Sequence, residues 1–76
     1  LVGRLDAKAH RGEGVFEVKA LYIEEGVDAD ETLARRIARA IDDCARWHGT
    51  PRVTLGRCRP AAFPRMLRTQ LAALRP

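Results

Sequence analysis

Seventy-six residues, 46% hydrophobic and 32% charged, set a ceiling of one small domain. A domain this size buries only about 60% of its unfolded surface, so an apolar face that docks on a neighbour or a second copy is expected. No run of ~18 apolar residues occurs, which excludes a helical membrane span, and the first residues lack the charged-then-apolar layout of a signal peptide. The net charge of +4 is unevenly spread. Residues 1–43 carry seven Lys/Arg against ten Asp/Glu, a balance of −3. Residues 44–76 carry Arg46, Arg52, Arg57, Arg59, Arg65, Arg68 and Arg75 with no acid, a balance of +7. That asymmetry favours an anionic partner, nucleic acid or an acidic protein face. A merely solvated arginine-rich surface would look the same.

Residues 1–9 alternate, with Leu1, Gly3, Leu5, Ala7 and Ala9 on one side and Val2, Arg4, Asp6 and Lys8 on the other. Period two predicts a half-buried strand. The opening on Leu1, directly into this run, is what a piece of a longer protein would show. His10-Arg11-Gly12-Glu13-Gly14 is a turn cluster. Residues 15–24 read as a second strand, with Phe16, Val18, Ala20 and Tyr22 on one face and Glu17 and Lys19 on the other. Val15, Leu21 and Ile23 share that other face, so its ends are expected to be covered. The two strands form an antiparallel hairpin, too weak to stand alone in water.

Glu25-Gly26-Val27 is a connector. Asp28 with Glu31 three residues on predicts a helix N-terminus. Leu33, Ile37, Ala40, Ile41, Cys44 and Trp47 then form one apolar stripe of an amphipathic helix. Gly49 suits the left-handed position after the helix and Pro51 stops it. Residues 52–55 predict a short strand, with Val53 and Leu55 facing one way. Gly56-Arg57-Cys58-Arg59-Pro60 reads as a basic loop. A last helix over residues 64–74 opens on Pro64 and aligns Phe63, Leu67, Leu71 and Leu74. The order β-β-α-β-α is an α+β layer: an antiparallel hairpin plus a short strand, with two helices packed on one face.

No catalytic signature is visible. Serine is absent, Thr50-Pro51 and Val53-Thr54-Leu55 form no nucleophile elbow, and Gly12-Glu13-Gly14 matches no phosphate-binding spacing. Two cysteines, Cys44 and Cys58, make no disulfide scaffold and fit a reducing cytoplasm, with Cys44 as a small core residue. Cys44, His48, Cys58 and His10 match no zinc spacing, so neither metal nor cofactor is expected. The candidate binding residues are cations. Arg4, Lys8 and Arg11 sit on one strand face and its turn, and Arg57, Arg59, Arg65 and Arg68 form a second patch. Both suit a phosphate backbone. Phe16, Tyr22, Trp47 and Phe63 read as core, which argues against single-strand recognition by stacking.

The stretch from Val2-Gly3-Arg4-Leu5-Asp6-Ala7-Lys8-Ala9-His10-Arg11 through Gly14-Val15 to Val18-Lys19-Ala20-Leu21-Tyr22-Ile23-Glu24-Glu25-Gly26-Val27 resembles one known family. So do the Ala/Arg-rich helix ending in an aromatic near Gly49 and the strand Arg52-Val53-Thr54-Leu55. That family is the winged-helix DNA glycosylases (AlkZ/YcaQ-like, crosslink-repair), and the likeness is to their C-terminal region over most of residues 1–56. It implies a bacterial, cytoplasmic base-excision enzyme that hydrolyses the N-glycosidic bond of alkylated or crosslinked nucleotides without metal or cofactor. Its signature, two glutamines flanking one residue, is absent here, where Gln70 is the sole glutamine. Where the family often has Asp, this chain has His10. The resemblance therefore implies a non-catalytic C-terminal domain, residues 1–76, of a larger protein whose upstream winged-helix domains carry the chemistry. Its partner would be double-stranded DNA. The alternative is a structural or dimerising module with no DNA contact.

Overall fold

A computed structural model describes residues 3–74 of the chain. Leu1, Val2 and Arg75, to which the sequence assigns strand positions and a charge, lie outside the described residues. Five elements follow in the order β1 (Gly3–His10), β2 (Val15–Ile23), α1 (Glu31–Trp47), β3 (Arg52–Arg59) and α2 (Phe63–Ala73). They form the expected β-β-α-β-α unit. The sheet order is β1-β2-β3, with β1 antiparallel and β3 parallel to the central β2. Parallel pairing requires a long crossover, which α1 supplies.

The hairpin register slips once. Asp6 pairs with Ala20 and Ala7 with Val18, which leaves Lys19 as an extra residue, a β-bulge. Because side chains alternate, one extra residue reverses the parity of everything beyond it. Phe16 and Val18 point into the core before the bulge, and Leu21 and Ile23 after it. The expectation that Phe16, Val18, Ala20 and Tyr22 share a face is therefore wrong at its second half. Leu21 is buried and Tyr22 is exposed.

Strand β3 makes the same adjustment, with Val53 and Leu55 inward, then Cys58. It runs four residues beyond the expected strand, so the predicted basic loop at residues 56–59 is strand. The reason is tertiary: β2 offers a continuous ladder to Arg59. Gly56 is admitted opposite the bulge because its backbone lies close to Lys19, where a Cβ would fall 2.5 Å from the carbonyl oxygen. Glycine inside a strand often marks such an approach.

Helix α1 starts two residues later than predicted. Asp30, not Asp28, is the N-cap, its Oδ1 accepting from the Leu33 N–H at 2.9 Å. The C-terminus ends as predicted, with Gly49 at φ +70. The Gly49 N–H donates to Arg46 O at 3.1 Å and the Thr50 N–H to Ala45 O at 2.8 Å, the two bonds of a Schellman motif. Thr50 is fully buried, and its hydroxyl also donates to Ala45 O, at 3.0 Å.

The stripe that α1 buries is the expected one only in part: Ile41 is buried as expected, while the rest of the buried apolar row is alanine. Ala34, Ala38, Ile41 and Ala45 are buried, and the small residues let α1 and α2 pack closely. Leu33 and Ile37 are only partly buried, Cys44 is exposed, and Trp47 is 86% exposed. From α2, Phe63, Leu67 and Leu71 complete the core. Both helices cover the same face of the sheet, and the opposite face is open.

Candidate nucleic-acid interface

Cross-strand register fixes what the open face displays, since directly paired residues project from the same side. Four rows cross the sheet: Arg4–Tyr22–Arg59, Asp6–Ala20–Arg57, Lys8–Glu17–Thr54 and His10–Val15–Arg52. Five cations thus share one surface with two carboxylates. Arg4, Lys8, Arg52, Arg57 and Arg59 are all exposed.

One of those carboxylates is already engaged. Glu17 accepts from His10 Nε2 at 2.8 Å. This hydrogen bond holds the Glu17 carboxyl below its ordinary range, against partial desolvation and with help from the charges of His10, Lys19 and Lys8. The stabilisation belongs to the ionised carboxylate. It is present above the unfolded-state range and is lost as pH falls through the lowered folded value. Substituting His10→Ala should move the Glu17 titration upward in an NMR pH series, and an unmoved titration would remove His10 as the cause.

Of the seven cations singled out by sequence, the fold brings Arg4, Lys8, Arg57 and Arg59 together on the open face. Arg11 lies in the adjoining turn, residues 11–14, where Gly14 takes φ +69. Arg65 and Arg68 are separate. They project from α2 into a hollow beside Gly56, at the β3 edge. Arg68 shares a second hollow there with Arg52 and Thr54, so the basic surface bends around that edge. Burial pushes the Cys58 thiol up, and the nearby Arg68 charge opposes this.

Ion pairs among the described residues are His10–Glu17, Arg35–Glu31 and Arg46–Asp42, and none involves the seven. Both cysteines are unbridged, and no three metal-ligating side chains converge among the described residues. No described helix is long and apolar enough to cross a membrane.

Two surface residues escaped the sequence reading. In the sequence Arg52 counts as a charge and not as a site residue, and Tyr22 reads as core. The spacing Phe16-x-Val18-x-x-Leu21-x-Ile23 carries the signal, because a three-residue step in an alternating run marks a bulge.

A second feature lies on the helix side. An apolar groove of about 320 Å³ lies between β1 and α1. Leu5, 46% exposed, forms one wall; Ile37, Ala40 and Cys44 form the other.

No protein-family model matches the chain, and no solved structure matches its fold.

Proposed function

We propose that this unit is a non-catalytic DNA-contacting domain that grips the phosphate backbone with the open face of its sheet. The observation that supports this reading most directly is the set of Arg4, Lys8, Arg52, Arg57 and Arg59, gathered on one uncovered face with only Asp6 and Glu17 as acids beside them and, among the described residues, in no ion pair of their own. Such a surface supplies affinity without reading sequence. The resemblance of most of residues 1–56 to winged-helix glycosylases supports a role beside the excision of alkylated or crosslinked bases, carried out by residues upstream of this domain.

The test is binding to a mixed-sequence duplex across a salt series. In Lys8→Ala/Arg52→Ala/Arg57→Ala, affinity should fall alike on unrelated sequences. The slope of log affinity against log salt should become shallower by about three, roughly one per lost contact. Arg65→Ala/Arg68→Ala should change the slope less. An unchanged slope in the triple variant would remove the open face from DNA binding.

A second reading, a dimerising module, is favoured by the apolar groove beside Leu5. Leu21, only 3% exposed, belongs to the core and offers no such interface. Ile23 lines the groove, and Leu74 is partly buried. Sedimentation equilibrium separates the readings: a dimer that does not bind duplex supports the second.

A further inference from the structure

The row Arg4–Tyr22–Arg59 combines features that phosphate binding alone does not require. Tyr22 lies on the central strand, 36% exposed, on the face no helix covers. An arginine flanks it on each neighbouring strand, about 5 Å to either side at the usual strand spacing. In the next row the central position is Ala20, so the surface beside the Tyr22 ring is low. Nothing in the core calls for an aromatic here, because the bulge at Lys19 has already turned Leu21 and Ile23 inward in its place.

We propose that this row holds one unstacked nucleotide of single-stranded DNA, the base lying on the Tyr22 ring and the adjoining phosphates held by Arg4 and Arg59. The proposal rests on the reading of the open face as a DNA surface and adds which form of DNA it takes. A broad three-stranded face is poorly shaped for the major groove, which admits a helix or a two-stranded ribbon. In a duplex the base faces are also stacked on one another and closed to Tyr22. An unpaired base presents both its face and its flanking phosphates, and aromatic rings on sheets bind such bases with little regard to sequence. At a damaged site, where pairing is weakest, this row would hold a strand that has come out of the helix.

The experiment uses the 76-residue chain, a labelled oligothymidine of about twelve nucleotides, a mixed-sequence duplex and inorganic polyphosphate. The oligothymidine should bind more tightly than the duplex. Tyr22→Leu should weaken oligothymidine binding roughly ten-fold, within the range for one stacked base, while leaving the salt slope unchanged. Tyr22→Phe should bind like the parent. A readout independent of folding defects comes from Trp47→Phe, in which the single tyrosine supplies the protein's ultraviolet emission. That emission should be quenched at saturating oligothymidine and not at saturating polyphosphate. Equal quenching by both ligands, or none by oligothymidine, would overturn the proposal. So would undiminished oligothymidine binding by folded Tyr22→Leu. If Lys8→Ala/Arg52→Ala/Arg57→Ala still loses duplex affinity in that event, only the stacking role falls. If it does not, the DNA reading falls as well.

Discussion

Replacing Gly56 with alanine is expected to lower the melting temperature by roughly 5–20 °C. The new Cβ would sit 2.5 Å from the Lys19 carbonyl oxygen and 3.1 Å from both the Lys19 carbonyl carbon and the Val18 oxygen. These are backbone atoms of the central strand, and the unpaired Lys19 is fixed through its neighbours Val18 and Ala20, which pair with both β1 and β3. They cannot swing aside as a flexible side chain would. Relief requires β3 to move away from β2, which weakens the parallel ladder and loosens Leu55 and Cys58 from the core. Overpacking of this kind costs about 1–3 kcal/mol. Each kcal/mol shifts the melting point of a 60–100-residue domain by about 4–8 °C. Thermal unfolding followed by circular dichroism measures it, and a change within experimental error would mean that the strands tolerate the approach. Gly3→Ala meets a similar obstacle at the Tyr22 carbonyl oxygen.

Gly56 also marks the boundary of what single-strand patterns reveal. The alternation of residues 3–9 holds throughout β1, whose partners Leu21 and Val18 lie on either side of the bulge. The hairpin, the Schellman ending at Gly49 and the Phe63–Leu67–Leu71 stripe were all legible, because each is encoded by neighbours along the chain. The bulge was not, since it belongs to a pairing between strands, and a uniform period of two sends Tyr22 inward. Residues 56–59 looked like a loop because Gly and Arg are poor strand formers alone, and β2 supplies the missing stabilisation. On α1 the larger side chains Leu33, Ile37 and Trp47 drew the predicted stripe. The helix instead buries its alanines, Ala34, Ala38 and Ala45, where close approach matters more than side-chain area. The candidate cations were mostly legible as residues and only partly as a surface. Charge in the sequence named Arg65 and Arg68 as readily as Arg57 and Arg59. Only the strand identity of residues 56–59 puts the latter pair on the same face as Arg4 and Lys8.

Phe63→Ala should come close to unfolding the protein. Phe63 is fully buried and is the first residue of α2, where its N–H donates to Pro60 O at 3.0 Å. The preceding Ala62 makes no side-chain cap, so burial of Phe63 does much of the anchoring that a cap would otherwise share. Truncating a buried phenylalanine costs about 3–5 kcal/mol. A chain of this length holds on the order of 4–11 kcal/mol in total. Urea unfolding should therefore show a large fall in midpoint, and a midpoint within about a tenth of the parent value would contradict the burial described here. Phe63→Leu keeps most of the volume and should cost less than about 2 kcal/mol, nearer to a conservative core exchange. It also separates stability from function. Phe63 lies on the helix side of the sheet, and Arg4, Lys8, Arg52, Arg57 and Arg59 lie on the other. A folded Phe63→Leu protein should therefore bind DNA with the parent's affinity and salt slope. If its binding weakened while the fold persisted, the open face would not be acting as a surface independent of the core beneath it.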